Sequence, residues 1–464
     1  MRYTIVKILN ERYTKDMKIF EPLVLKFEDG NWALDPELGL IDTILENKPK
    51  LIKMFEDEIT QETTTSGFGR QDTPSVEQIV RAAIYKEMKG LTYRELEYAQ
   101  EDSRICEKFI KINPMCPYSF QVFQKYISRI SEEKLEKFLV ELNRIAINEG
   151  LEDIESFRQD SFVVETNIHY PTNSSLVWDC IKECERLLRH LKYEIEDFSY
   201  EKYCKRAKGL FFKINVSNKD EERVKLFIKQ LELFTKSINQ VSNIIKKKYD
   251  YVMTKKAVKY IIALESLLPV LEIVYKMTER KEIFKEEVPV EEKIFSIYEQ
   301  HTDIIVKGKR EVEFGHKVNI GTGKSNLILT CEITDGNPKD SELYQGAIEK
   351  LKKDYGKIPS SSVTDGGYAS KANLEYSQKK GIVNIVFNKI RGSLQNITTN
   401  KWIEAKLKRW RSGIEAVISN LRRGFQIQRC TWKGGLHYGQ KVFWSIIGYN
   451  IRVMTAAFLQ EMTL

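Results

Sequence analysis

The chain lacks several things, and each absence narrows the reading. Its 464 residues hold only seven cysteines, an odd and scattered set that makes no disulfide framework. No secretory leader is apparent: the first apolar run, Tyr3 to Leu9, is short and broken by Lys7. Long hydrophobic runs are missing too. The most apolar stretches carry Glu265 and Glu272, or Asn450 and Arg452, so none reads as a membrane span. A cytoplasmic, reduced location without membrane attachment is expected. The last absence is acid. From Gly366 onward there is no Asp and only 4 Glu against 16 Lys and Arg, a net of +12; with the whole chain at +8, the remainder stands at −4. So basic a tail suits a polyanion, nucleic acid above all, although a solvated basic face has the same composition.

What is present is 42% hydrophobic and 30% charged, an ordinary globular balance over a length that suggests about three domains. Residues 1–66 are the least readable, with helical spacing from Ile41 to Ile59; the polar run Gln61 to Gln71 reads as a linker. Thr73-Pro74 signals a helix start, Gly90 a stop, and Thr92 with Glu95 a capping box. Further short helices are expected at Ile105–Ile110, Ser119–Ile130 and Glu132–Asn148. Residues 67–150 therefore read as an all-α, helix-turn-helix-like DNA-binding region, a pattern that small protein-binding helical domains share. Leu176 to Glu291 follows helical spacing almost throughout, with Pro269 expected to kink its third long helix. Cys180, Cys184, Cys204 and His190 in this block fit no common zinc spacing, and the first two sit on the apolar stripe, so core packing is expected of them.

Strands bracket that block. Phe157–Thr166 precedes it; Asp303–Val306, Val312–Ile320 and Leu327–Ile333 follow, with turns at Lys307-Gly308 and Gly321–Gly323. Then come a helix over Ser341–Asp354, a strand ending in Ser361-Ser362-Val363-Thr364-Asp365, a helix from Lys371, a strand over Val383–Phe387, one long basic helix over Trp402–Arg423, and another over Leu436–Leu459. The double glycine Gly366-Gly367 ends the Asp365 strand abruptly and leaves a carboxylate at its tip, a suitable place to hold a metal. Asp160 and Glu165 are five apart on one strand and point to opposite faces; Asp160 is the expected partner of Asp365. A third acid on the late helix is Glu404 or Glu415. Asp335 competes as a strand-end carboxylate before glycine, and His316 beside Lys317 reads as structural or phosphate-contacting.

The motifs Asp160 to Thr172, His301 to Ile320 with Phe314-Gly315-His316-Lys317, Gly336-Asn337-Pro338 with Asp340-Ser341, Asp365-Gly366-Gly367-Tyr368-Ala369-Ser370, and Arg411-Ser412-Gly413-Ile414-Glu415 occur in an order that resembles the bacterial insertion-sequence DDE transposases, from about residue 70 to the end. The resemblance implies an α/β RNase H-like catalytic domain, a mixed sheet with flanking helices, over 151–172 plus 297–464. That domain is interrupted by a helical insertion at 173–296 and preceded by an all-α N-terminal region. It implies Asp160, Asp365 and Glu415 as catalytic acids and ligands of two Mg²⁺ (or Mn²⁺) ions. The Tyr that precedes the family's Arg by three is Lys408 here, and the Lys that follows the Glu by seven is Arg422. Lys408, Arg409, Trp410, Arg411, Arg422 and Arg423 are candidate DNA contacts, and Trp402, Trp410 and Trp432 candidate platforms for unpaired bases. Lys205, Arg206 and Lys208 and Lys246, Lys247 and Lys248 are candidate contacts in the insertion. The implied activity is cleavage at the ends of an insertion element and joining of 3′-hydroxyls to target DNA, by a homodimer on double-stranded DNA (terminal inverted repeats and target), in the bacterial nucleoid. A structure-specific nuclease on the same fold, or a domesticated DNA-binding protein, would share these motifs.

Overall fold

Ser75 opens the first long helix. Its hydroxyl accepts from Gln78 N while Gln78 returns a bond to the Ser75 amide, so the helix start signalled at Thr73-Pro74 is capped one residue later. The computed structural model describes residues 17–18, 24–25, 32, 34–60, 73–248, 254–307, 311–390 and 394–461. The expected linker from Gln61 lies outside these, as do Gly308 and Lys309 of the first strand turn. The chain forms two compact units, residues 1–165 with 315–464, and residues 166–314.

In the first unit, helix α1 (Pro36–Asn47) precedes α2 (Val76–Lys89), which ends at Gly90 in the left-handed region, φ 66°. Then come α3 (Tyr93–Asp102), α4 (Arg104–Ile110), α5 (Phe120–Ile127) and α6 (Glu132–Asn148). The Thr92–Glu95 capping box on α3 is formed in both directions. Strand β1 (Ser156–Thr166) follows. The second unit holds α7 (Asn173–Glu194), α8 (Cys204–Val216), α9 (Asp220–Lys246) and α10 (Lys255–Thr278), then β2 (Asp303–Lys307) and the start of β3 (Glu311–Thr322). Pro269 lies inside α10 without ending it, and helix gives way after Thr278 to a π turn and a short 3-10 turn, short of Glu291. Cys180 and Cys184 are fully buried in this unit's own apolar core, and all seven cysteines are free thiols.

The first unit resumes with β4 (Ile328–Ile333), α11 (Asp340–Tyr355), β5 (Ser361–Asp365), α12 (Lys371–Lys379), β6 (Asn384–Asn388), α13 (Lys401–Arg411), α14 (Gly413–Gly424), β7 (Arg429–Cys430) and α15 (Gly435–Glu461). Within it the sheet is ordered β4-β3-β1-β5-β6, with β7 beside β1. β1, β5 and β6 run parallel; β3 and β4 are antiparallel. The parallel centre follows from composition: β5 and β6 are short and buried at four of five positions, as strands covered on both faces must be.

Two expectations need correction. The long basic helix over 402–423 is two helices, broken at Ser412. Arg158 donates to the Trp410 carbonyl, the acceptor that a continuous helix would offer to Ile414, and a side chain at Gly413 would collide with that same guanidinium. The apolar residues of 67–150 share one core with the sheet and α15. The unit that holds the block between strands spans residues 166–314. Finally, residues 435–459 do reach the length and apolar composition of a membrane span, but 72% of that window is buried inside the unit. Asn450 shows why: its side chain donates to Asn143 Oδ1 (2.8 Å) and the Ile328 carbonyl (2.9 Å) and accepts from Ile328 N (3.0 Å), so α15 is a core helix of this unit.

Candidate active site

β1 and β5 are parallel neighbours in register Gln159↔Thr364, so the next residue along each strand is an aspartate, Asp160 and Asp365. The two carboxylates are therefore level with one another, Asp365 at the carboxyl end of β5 and Asp160 midway along the longer β1. Glu165, on the opposite face of β1, is engaged elsewhere by Arg429 at 2.6 Å, as the strand alternation required. Gly366 continues β5 under tight confinement: a Cβ there would meet the Lys389 carbonyl at 2.7 Å. Glycine is the residue that lets the chain leave the strand at this point.

Arg411 joins these acids to a third. Its Nη2 lies 2.8 Å from Asp160 Oδ2 and 4.0 Å from Asp365 Oδ2, and its Nη1 lies 2.7 Å from Glu415 Oε1. The side chain is 9% exposed, whereas Glu415 is 65% exposed and Asp365 44%. Arg411 Nε is buried without a partner. Burial pushes the Asp160 carboxyl up to about 6; Arg411 and the Ser161 amide oppose that, and the charges of Asp365 and Asp340 add to it.

Asp340 is a site residue that sequence reading missed. Asp340 entered the sequence reading only as part of a motif, and Asp335 stood there as the competing acid. Instead Asp340 opens α11, accepts from Ser161 Oγ (2.9 Å) and pairs with Lys317 Nζ (3.3 Å). Lys317 also donates to the Pro338 carbonyl at 2.6 Å. Asp335 is exposed in the turn after β4. The signal that could have found Asp340 is its place in the first turn of a helix, where acids are favoured. Beneath the acids, Gln159 donates to Asn319 Oδ1 (3.1 Å) and the Leu343 carbonyl (3.0 Å), and Tyr368 donates to the same Asn319 oxygen at 2.9 Å. Arg158 is a further missed residue. It donates to Thr322 Oγ1 (2.9 Å), to Asn326 and to Trp410, and its guanidinium lies 4.6 Å from the Trp410 ring, so it fixes the α13–α14 joint that presents Arg411 and Glu415.

The candidate DNA contacts divide. Arg409 and Arg423 are exposed. Lys408 pairs with Glu404 at 2.6 Å, which settles Glu404 outside the acid cluster. Arg422 is half-buried, donating to the Val163 carbonyl (3.3 Å) over the Phe162 ring, and Arg411 is buried among carboxylates, so neither presents a free cation to solvent. Trp410 packs under Arg158, Trp402 is 65% exposed, and Trp432 is half-buried against Tyr93 with ring centroids 5.8 Å apart. His316 is buried, edge-on to Tyr438 at 4.8 Å, as a structural residue would be.

Hard oxygen donors are what Mg²⁺ takes, and one or two carboxylates suffice beside water and phosphate. Asp160 and Asp365 fit that chemistry, and the like-charge crowding around Asp160 is what a divalent cation would relieve. The full triad is not drawn together: among the described residues no three His, Cys, Asp or Glu side chains stand close enough to hold one ion, because Arg411 lies between Glu415 and the two aspartates.

Comparison with known proteins gives one finding. Residues 289–451 match the family described as transposase DDE domain, a span that includes Asp365 and Glu415 and excludes Asp160. No curated protein and no solved structure matches the chain.

Proposed function

We propose, from the match of residues 289–451 to the transposase DDE domain family, that the chain is a DDE transposase of insertion-sequence type, which cuts phosphodiester bonds at the ends of its own element and joins the freed 3′-hydroxyls to target DNA. The observation that carries this reading is the register of β1 and β5, which sets Asp160 level with Asp365 at the point where β5 ends. Asp160 and Asp365 are the proposed first ligands of divalent ions, Mg²⁺ or Mn²⁺, with Glu415 as the third acid and Asp340 positioning Asp160 through Ser161. Such ions, held by these carboxylates, would supply charge neutralisation at a scissile phosphate and would acidify an attacking hydroxyl.

The chain's own part is to aim and to release. Glu415 reaches the aspartates only if Arg411 gives up its bonds to them, and Arg411, once displaced, is a guanidinium beside a phosphate. Water and a DNA 3′-hydroxyl are interchangeable attackers in such a site, so cleavage and joining need only one set of acids. Exposed Arg409 and Arg423, the basic tail and the helices of 67–150 are the proposed surfaces for double-stranded DNA, terminal repeats and target alike, with a homodimer holding two ends.

The test uses the full chain, Mg²⁺ and a plasmid carrying the element's two ends. Strand nicks at those ends and recombinant joints are expected, and both are lost in Asp365→Asn. Cleavage without joining would make the protein a nuclease on this fold; binding without cleavage would make it a DNA-binding protein only.

A further inference from the structure

A cavity of about 560 Å³ opens in the first unit where the end of α2 and start of α3 face the segment after α14; Lys86, Glu87, Tyr93, Trp432, Lys433 and Lys441 are among the residues lining it. Ligand sites are commonly about 300–1,000 Å³. The charge in its wall is unbalanced. Lys86, Glu87 and Lys441 are 5%, 4% and 8% exposed. Glu87 Oε1 accepts from Lys86 Nζ at 2.8 Å and Glu87 Oε2 from Lys441 Nζ at 2.6 Å. One carboxylate thus serves two buried ammonium groups. Lys441 has a second acceptor, the Phe425 carbonyl at 3.4 Å. Lys86 instead faces two rings, with Nζ 5.0 Å from the Tyr93 centroid and 5.4 Å from that of Trp432.

Burying an excess cation is costly unless something compensates it. The cavity also carries backbone strain. Gln426 holds φ 56°, a left-handed conformation that a glutamine seldom adopts, and its amide reaches the Gly90 carbonyl at 3.4 Å across the mouth. Strain of this kind gathers where a ligand is clamped. An unbalanced ammonium beside a tilted pair of aromatic rings suits a ligand that is anionic at one end and flat at the other, which is a nucleotide.

Helix α14 gives the scale. From Glu415 in its first turn to its C-cap Phe425 at the cavity is roughly 15 Å at 1.5 Å per residue. Along a duplex, whose axial rise is roughly 3.4 Å per nucleotide of one strand, that span is four or five nucleotides.

We propose that this cavity receives a single unpaired nucleotide of a DNA strand engaged at the Asp160–Asp365 site, its base against Trp432 and its phosphate on Lys86 and Lys433. This rests on the reading of the chain as a DNA-cleaving enzyme, and the test is therefore a binding test without divalent ions. The full-length protein is irradiated with a duplex carrying a single-stranded overhang of 5-iododeoxyuridine, and the adducts are mapped by mass spectrometry. Adducts on Trp432, Tyr93 or His437 are expected; adducts confined to other residues, such as exposed Trp402, overturn the proposal. Trp432→Leu should weaken overhang binding about tenfold and leave blunt duplex binding unchanged. Lys433→Glu, at an exposed position where folding is not at stake, should weaken the overhang likewise. Wild-type affinity for the overhang in Lys433→Glu overturns the phosphate assignment. Binding of millimolar thymidine monophosphate at this cavity, with no overhang adducts there, would make it a free-nucleotide pocket, which also overturns the proposal. A protein that gives these adducts but never cuts DNA would fault the transposase reading and leave the cavity assignment standing.

Discussion

Arg411 Nη2 stands 2.8 Å from Asp160 Oδ2, so a protein cation holds the carboxylate around which the other acids gather. Both side chains are largely shielded, 9% and 17% exposed, and breaking such a pair from one side costs about 3–5 kcal/mol. Arg411→Ala should therefore lower the melting temperature in the absence of divalent ions. Mg²⁺ should then raise it by more than it raises the wild type, because an ion can replace the lost positive charge. Identical melting of the two proteins, with and without Mg²⁺, would remove Arg411 from this role.

The pH response follows from Asp160. Its folded pKa, about 6, lies above the ordinary 3.8 of an aspartate, with burial as the leading cause. The folded state thus favours the protonated carboxyl. Its stabilising contribution is complete below pH 3.8 and is lost as pH rises through 6. A shift of about two units corresponds to about 3 kcal/mol. Other carboxylates titrate in the same window, so the comparison to make is wild type against Asp160→Asn, without divalent ions, from pH 4 to 7. The wild type should lose stability relative to the mutant across that range. Mg²⁺ affinity should rise over the same range, since the ionised carboxylate is the ligand.

Removing acids should separate ligands from supports. Asp160→Asn and Asp365→Asn are expected to abolish cleavage with duplex binding nearly intact. Glu415→Gln should also eliminate chemistry, with affinity kept or raised because a negative charge is lost. Asp340→Asn, which acts through Ser161 and Lys317, should reduce cleavage only about 10–100-fold. Its effect should appear mainly as a higher Mg²⁺ requirement. Ordinary cleavage by Glu415→Gln would pass the third position to Asp340.

The adjacent arginines Arg422 and Arg423 should fail differently. Arg423→Ala, at an exposed site, should weaken duplex binding and reduce its salt slope by about one unit. Arg422→Ala should instead lower stability, because that side chain spans the Phe162 ring and the Val163 carbonyl. A binding titration over salt and a thermal melt of each variant decide between these roles.

The second unit can be removed on paper without breaking a strand pair of the first. Glu165 and Gly315 face each other as antiparallel partners, so the chain can turn directly between them. Replacing residues 166–314 by an Asn-Gly loop should leave a folded protein, since the first unit keeps its own core. We expect that protein to bind DNA and cut it poorly. Full activity would show that the excised unit does not contribute to the reaction.

Local chemistry was legible without any structure. The Thr92–Glu95 box, the stop at Gly90, the strand carrying Asp160 and the abrupt end of β5 at Asp365 depend on neighbours within a few residues, and the sequence displays those neighbours. The burial of Cys180 and Cys184 was legible too, because helical periodicity alone put them on the apolar stripe. What distant residues impose was not. The break between α13 and α14 exists because Arg158, some 250 positions earlier, takes the Trp410 carbonyl. Arg411 looked like a phosphate contact on a basic helix, and it is buried among acids drawn from three separate elements. Asp340 reads as a turn residue until α11 brings it to Ser161 and Lys317. The residue types that can do the chemistry are thus written in the chain. Which carboxylate meets which cation is decided only by strand register and helix packing, since charges interact through distance in space and not through separation in sequence.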